Sequence, residues 1–309
     1  MRVAVIGGTG FIGHHVTTWL VKAGADVTTI HRGQTPGRVP GARTLRADRK
    51  DTSALERALA AAAPAVVIDM TAYTAEDMER LLAALPPPLK RLVVISSGDV
   101  YWTYGAFLGF SLGGRAATEP LNEQAALRDR LYPYRDKASG PSDPLYGYEK
   151  IVVEQIAQSF TRAPVTILRL PMVYGPNDRQ RRVAGCLERL RASGRTLRLN
   201  AAEAGWRCTR GYVEDVAWAI RLAALDPRAA GGPFNVGEDV ALTELDWIRQ
   251  IAAAAGWFGE LISDPAMPPS LPARWETSLV VDTRHIRETL GYREPIGREE
   301  GLHRTIAAQ

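Results

Sequence analysis

The sequence predicts an α/β fold, a Rossmann-type doubly wound parallel sheet with a smaller C-terminal domain. Three observations carry that expectation. Short apolar runs alternate with helical patterns through the first hundred residues, which is the signature of βαβ units. A glycine-rich turn joins the first apolar run to the first helical one. The chain has 309 residues, 46% of them hydrophobic and 23% charged, enough to bury one large core or two modest ones.

Taken in order, residues 3–6 read as the first strand and run into Gly7-Gly8-Thr9-Gly10-Phe11-Ile12-Gly13. Residues 14–23 follow as a helix with Val16, Leu20 and Val21 on one face, stopped by Gly24. Residues 25–30 are a second strand, residues 44–47 lead to Asp48, residues 52–63 are helical, and the apolar run 65–69 is a fourth strand. Residues 92–95 form the fifth. A Gly- and Pro-rich insertion, 102–144, separates it from a helix over 146–160 and a strand at 165–168. The expected division places a nucleotide-binding domain at 1–170 plus about 211–240, and a substrate domain at about 171–210 plus 241–309.

Composition narrows the classes. No apolar run approaches the roughly 18 residues that span a bilayer, and the N-terminus turns glycine-rich before a secretory core forms, so a soluble, cytoplasmic protein is expected. Cys186 and Cys208 stand far apart and read as packing residues, with neither a disulfide framework nor a metal site. A net charge of +4 would suit an anionic ligand, but the cations are scattered. Only Arg179-Gln180-Arg181-Arg182 clusters, as a solvated helix start or as a grip on a substrate phosphate.

Gly7, Gly10 and Gly13, with Phe11 and Ile12 opening the helix, lie on a strand-to-helix turn, where a pyrophosphate approaches backbone N–H groups and any Cβ would hold it off. At the end of the second strand an acid would receive the ribose 2′-hydroxyl of NAD. The sequence has Ile30-His31-Arg32-Gly33 there, and His31 with Arg32 suits a 2′-phosphate. NADP is therefore the expected cofactor. The alternative has Arg32 stacking on adenine, with NAD accepted as well.

Tyr146 and Lys150 stand four apart, one helical turn, and so share a face if the segment is helical. An ammonium beside a phenol favours the phenolate and makes the tyrosine a usable proton carrier. Ser97, directly after the fifth strand, lies where open α/β sheets hold their ligands; taken alone, it serves equally well as a helix cap.

In their order these three elements resemble the extended short-chain dehydrogenase/reductases, the NAD(P)-dependent epimerase/dehydratase family. The resemblance extends over nearly the whole chain, through Arg169-Leu170-Pro171-Met172-Val173-Tyr174-Gly175-Pro176, Gly211-Tyr212-Val213-Glu214-Asp215, Phe234-Asn235-Val236-Gly237, Thr243-Glu244-Leu245, and Asp282 through Leu290-Gly291-Tyr292. It implies that Tyr146 transfers the proton, Lys150 tunes it and holds the nicotinamide ribose, Ser97 orients the carbonyl or alcohol, Asp48 contacts adenine, and Thr71 and Ala72 line the cofactor. It also implies a homodimer paired through helices around 77–85 and 148–160.

The departures concern the substrate. Met172 stands where nucleotide-sugar members place an Asn, and Gly98-Asp99 replaces the adjacent Asp and Glu of the 4,6-dehydratases, which leaves Asp99 as a candidate base. Arg207 and Arg210 lie within about one residue of the position of a diphosphate-binding Arg, and Arg179 is a further substrate candidate. The expected function is an NADP-linked nucleotide-sugar epimerase or reductase, with a carbonyl reductase or dehydrogenase on a smaller metabolite as the alternative. The glycine turn, His31-Arg32-Gly33 and the basic balance also resemble the chloroplast stem-loop binding proteins. An RNA-binding protein on the same scaffold is the third reading, disfavoured by the presence of Tyr146, Lys150 and Ser97 together. The 102–144 insertion is read as a lid or as a packed surface flap.

Overall fold

The computed structural model describes residues 1–34, 39–111 and 119–309, so the part of the insertion at 112–118 lies outside the described residues. The first half follows a βαβ rhythm: β1 (Arg2–Ile6), α1 (Phe11–Lys22), β2 (Asp26–His31), β3 (Arg43–Arg46), α2 (Thr52–Ala62), β4 (Val66–Asp69), α3 (Ala75–Ala84), β5 (Arg91–Ser97) and α4 (Trp102–Phe107). The second half holds α5 (Lys150–Gln158), β6 (Val165–Leu170), β7 (Met172–Tyr174), α6 (Arg182–Ala192), β8 (Thr196–Asn200), α7 (Ala201–Gly205) and β9 (Arg210–Tyr212). It closes with α8 (Val213–Leu225), β10 (Pro233–Asn235), α9 (Glu244–Ala254), β11 (Glu260–Asp264), α10 (Arg284–Leu290) and α11 (Arg298–Ala307).

Seven parallel strands form the central sheet in the order β10-β6-β5-β4-β1-β2-β3. Alternation along each strand decides which face each side chain covers. Val3, Val5, Val66, Ile68, Val93 and Ile95 meet α1 and α8 through Val16, Leu20, Val216 and Ile220. Ala4, Ile6, Val67, Leu92 and Val94 meet α2, α3 and α5 through Leu55, Leu59, Met78, Leu81 and Val153. Both faces are covered, so the strands read as near-continuous apolar runs, as a parallel sheet requires. Leu55 and Leu59 are fully buried, and truncating either to Ala costs about 2–5 kcal/mol.

β1 lies between β2 and β4, so the chain reverses its direction of growth there and opens a crevice at the carboxyl ends of β1 and β4. Beyond β6, two small parallel pairs, β7 with β9 and β8 with β11, carry the chain over that end. Tyr174, Leu187, Leu190 and Trp247 from this part join the apolar cluster on the α8 face.

One expected helix is corrected. It starts at Lys150 and not at Tyr146, because Glu149 is extended (φ −158°, ψ 97°) and its carboxylate accepts the N–H of Ile151 as a cap. Glu149 is held there by Arg128, 3.0 Å away with both side chains fully buried, and by the N–H of Tyr132. Residues 146–149 are therefore outside the helix, and the one-turn alignment of Tyr146 with Lys150 does not form.

Candidate active site

The glycine turn divides into positions that the fold itself requires and one that it does not. Gly7 has φ +79°, and a Cβ there would stand 2.6 Å from Thr71 Cγ2. A Cβ on Gly13 would stand 2.2 Å from the carbonyl oxygen of Gly7. Gly10 has an ordinary φ of −73°, and the nearest atom to an added Cβ is 3.4 Å away, so nothing in the protein demands glycine there. No side chain caps α1 and its first turn holds no acid, which leaves the N–H groups at Phe11 and Ile12 to an external anion. A diphosphate fits this cradle.

At the outer end of the crevice, His31, Arg32 and Arg46 gather where β2 and β3 end. Arg46 Nε donates to the Arg32 carbonyl at 3.0 Å, and a Cβ on Gly33 would stand 2.6 Å from the same nitrogen. Arg46 was not singled out by the sequence, because its place beside Arg32 depends on the β2–β3 register. Its charge and burial together push the His31 pKa down, burial being the larger cause. Asp48 accepts the N–H of Lys50 and lies just past β3. Its neighbour Arg49 reaches to β4, forking onto Asp69 at 2.8 and 3.0 Å and meeting Asp77 at 3.1 Å and the Thr71 hydroxyl at 2.9 Å. Thr71 and Ala72 are thus fixed at the crevice.

The inner end centres on Lys150, which is 3% exposed. Its Nζ donates to the carbonyls of Ala72 at 2.7 Å and Ile95 at 2.8 Å, and lies 4.7 Å from the centre of the Tyr73 ring. Burial pushes its pKa down to about 8, against the pull of Asp69 and Asp99. Above it a cavity of about 440 Å³ opens at the ends of β5 and β6, lined by Ser97, Asp99, Tyr104, Tyr134, Tyr148, Met172 and Arg182 among others. Ser97 Oγ accepts the N–H of Asp99 at 3.2 Å. Asp99 is buried and accepts the phenols of Tyr148 at 2.8 Å and Tyr134 at 3.1 Å on Oδ2. Burial raises its pKa, opposed by Arg128 and by the two phenols. The Tyr148 pKa is raised well above 10 by burial and by Asp99, with Ser97 hydrogen bonding in the other direction.

The predicted residues therefore separate. Ser97, Asp99 and Met172 line the cavity, and Lys150 lies beneath it. Tyr146 is not among the lining residues: its ring lies 4.8 Å from the Arg135 guanidinium, and its carbonyl accepts Arg135 Nε at 3.1 Å. Tyr148 lines the cavity instead. Two of the candidate substrate arginines lie outside the cavity lining. Arg210 is 5% exposed, ion-paired with Glu244 and set 4.7 Å over the Trp247 ring, and Arg207 donates to the Ala241 carbonyl at 3.1 Å. Their neighbours Cys208 and Thr209 face the cavity instead. Arg179 is exposed, whereas Arg182, which the sequence reading left within its cluster, lines the cavity while bonded to Val173 and Asp178. Cys186 is buried in the core. Among the described residues no group of three or more His, Cys, Asp or Glu stands together as a metal site, and no helix is long and apolar enough to cross a membrane.

Comparison with known proteins places the chain in a family. The model of the NAD dependent epimerase/dehydratase family matches residues 3–101 and 123–237. The chain is 26% identical over 297 residues to 2′-dehydrokanamycin reductase of Streptomyces kanamyceticus, covering 94% of this chain and 74% of that protein. It is 27% identical over 275 residues to chloroplast stem-loop binding protein of 41 kDa b of Arabidopsis thaliana, covering 84% of this chain and 64% of that one. Among solved structures it superimposes on UDP-glucose 4-epimerase of Thermus thermophilus in complex with NAD, with a TM-score of 0.69, 26% identity, and coverage of 100% of this chain and 98% of that one. With a glycine cradle, a buried lysine and a β5 serine around one crevice, and a family match over most of its length, the chain belongs to the NAD dependent epimerase/dehydratase family and is an enzyme of the epimerase/reductase type.

Proposed function

We propose that the protein is an NADP-dependent oxidoreductase that interconverts a ketone and a secondary alcohol on a substrate held in the cavity at the ends of β5 and β6. The observation that carries this reading is the convergence of Ser97, Tyr148 and Lys150 on the crevice that the glycine turn opens. Arg32 and Arg46 support NADP, since two guanidinium cations stand with His31 where β2 and β3 end and no acid occupies the end of β2 itself. Residues 1–170 with about 211–240 would hold the nucleotide, and about 171–210 with 241–309 the substrate. A bound nicotinamide would supply or accept the hydride. Ser97 would hydrogen-bond the substrate oxygen, and Tyr148 would give or take its proton. Lys150 would hold the nicotinamide ribose, its ammonium steadied by two carbonyls.

Tyr148, by position, and Tyr146, by its spacing to Lys150, are rivals for the proton, and the cavity geometry favours Tyr148. The substrate arginines favour a smaller metabolite over a nucleotide sugar, because Arg210 and Arg207 are bonded within the protein. The similarity to a reductase of 2′-dehydrokanamycin supports that choice. Two observations favour the nucleotide-sugar reading: Arg182 lines the cavity, and a UDP-glucose 4-epimerase shares the fold end to end. A homodimer paired through α3 and α5, which already lie side by side, completes the proposal.

Incubating the protein with NADPH and a panel of ketosugars tests it. Oxidation of NADPH in step with alcohol formation supports a reductase, and interconversion of UDP-glucose and UDP-galactose without net oxidation moves the assignment to the second reading. Failure of both, with NADPH bound, refutes the proposal.

A further inference from the structure

Asp99 is buried, and among the described residues no cation is bonded to its carboxylate. Arg128 and Lys150 are the cations that face it. Arg128 donates through Nε to the Asp99 backbone carbonyl and through its other nitrogens to Glu149 and the Arg130 carbonyl, and Lys150 donates to the carbonyls of Ala72 and Ile95. The carboxylate itself receives two phenols, Tyr148 at 2.8 Å and Tyr134 at 3.1 Å, and both fall on Oδ2. Oδ1 is sealed from solvent without a partner. A buried anion with one oxygen unbonded and no counter-ion is destabilising, and a carboxyl sheds that cost by holding a proton. Burial raises the Asp99 pKa accordingly, against the pull of Arg128, Lys150 and the two phenols.

The hydrogen of the Tyr148 phenol is the second constraint, since a phenol carries one. While Asp99 is ionised, Tyr148 gives that hydrogen to Oδ2 and has none for a substrate oxygen in the cavity it lines. When Asp99 is protonated, the same 2.8 Å contact runs from carboxyl to phenol oxygen, and the Tyr148 hydrogen is free for the cavity. Resting on the oxidoreductase reading above, in which Tyr148 carries the proton, we infer that Asp99 is a positioning residue that works as a carboxylic acid: it hands its proton to the Tyr148 oxygen as Tyr148 hands its own to the substrate. In reduction the ketone carbon gains the hydride that the nicotinamide supplies, and the C=O π bond gives way to a new O–H bond. The O–H bond of Asp99 is the one lost, which leaves Asp99 ionised with both phenols donating to it. After the alcohol leaves, water in the cavity returns a proton through the same phenol, and oxidation runs these steps in reverse. Tyr134, whose hydroxyl also meets that of Tyr104 at 3.2 Å, ties the carboxyl to the insertion and to α4.

The test reads the carboxyl directly, by infrared difference spectra of wild type minus Asp99→Asn on the NADP⁺-loaded protein, from about pH 5 to about pH 9. The expected result is the C=O band of a protonated carboxyl at neutral pH, lost as pH rises and shifted in Tyr148→Phe, which removes its partner. Turnover is read as NADPH oxidation with the ketosugar panel above, 1,5-anhydro-D-fructose and 3-keto-D-glucose among its members, and wild-type kcat should fall in step with the band. Asp99→Asn should lower kcat about 10²-fold with KM and NADPH affinity unchanged, and should keep only the pH dependence that Lys150 imposes. On the Tyr148→Phe background the same substitution should cost nothing further. Tyr134→Phe removes a donor that favours the carboxylate, so it should move both the loss of the band and the fall in kcat to higher pH; its pH-difference spectra carry the test should Asp99→Asn fail to fold. A carboxylate at every pH overturns the inference, as do undiminished kcat or an unchanged pH profile in Asp99→Asn, and a further loss on Tyr148→Phe. The spectra need no turnover, so the expected band with no ketone reduced is a different result: it removes the oxidoreductase reading, and the relay with it.

Discussion

Gly10→Ala separates cofactor binding from folding. In the free protein the new methyl meets nothing closer than 3.4 Å, and φ −73° is an ordinary alanine angle, so the cost to the fold is confined to the helix start. Alanine is a poorer N-cap than glycine, which costs about 0.5–1 kcal/mol, and the stiffer unfolded chain offsets that by about 0.4–1 kcal/mol. Stability should therefore change by less than about 1 kcal/mol. A Cβ standing about 1.5 Å out from the backbone keeps a diphosphate away from the N–H groups that open α1. Losing two charge-assisted hydrogen bonds at about 1.5–3 kcal/mol each weakens NADPH binding roughly 10²- to 10⁴-fold. Urea denaturation and nucleotide fluorescence titration on the same preparation measure both quantities. Gly13→Ala is the contrast, because its Cβ would stand 2.2 Å from the Gly7 carbonyl and the fold itself must yield. Undiminished NADPH binding by Gly10→Ala would refute the cradle, and so would a loss of stability as large as the loss of binding.

Further outcomes follow from the same geometry. Tyr148→Phe should lower kcat about 10²-fold or more and Tyr146→Phe less than about tenfold, measured by NADPH oxidation; the reverse order would restore Tyr146 as the proton carrier. Glu149→Ala leaves Arg128 buried without its partner and removes the cap of α5, so urea melts should show a loss of about 3–5 kcal/mol, and Arg128→Met combined with it should recover part of that loss. Lys150 has a folded pKa of about 8 against about 10.4 unfolded, so its buried ammonium is a penalty at neutral pH that fades as pH rises through that interval. The stability of the wild type relative to Lys150→Met should accordingly rise from pH 8 to pH 10, and a flat difference would contradict the burial argument. Catalysis that needs the ammonium should fall earlier, through the folded pKa of about 8. Arg210→Ala should destabilise the fold by stranding Glu244, whereas Arg182→Ala should change KM more than stability.

The parts of the molecule that were legible in the sequence are those set by local rules. Gly7 and Gly13 announce a turn because a side chain at either position collides within a few residues or across one strand. The strands are legible because a sheet covered on both faces needs unbroken apolar runs. The start of α5 was not legible, since Glu149 is withdrawn from the helix by Arg128, 21 residues earlier in the insertion. For the same reason Tyr146 and Lys150 keep their spacing but not their shared face. Arg210 resembled a substrate ligand until the fold brought Glu244 to it from 34 residues away. The tyrosine ring around Asp99 is likewise a product of tertiary structure, with Tyr104 and Tyr134 arriving from opposite ends of the insertion. The sequence left the insertion as a lid or a packed flap, although its aromatics, Tyr132 and Tyr134 among them, lie between Ser97 and Lys150.

Fluorescence titration of NADPH and NADH, on wild type and on Arg32→Ala, tests the cofactor assignment on which the rest depends. The account predicts that NADPH binds much more tightly than NADH, and that Arg32→Ala removes the difference while leaving NADH affinity in place. Equal affinity for the two nucleotides in the wild type would contradict the 2′-phosphate site. Binding of neither, after extraction of any nucleotide carried through purification, would contradict the oxidoreductase reading and bring salt-dependent RNA binding to the front.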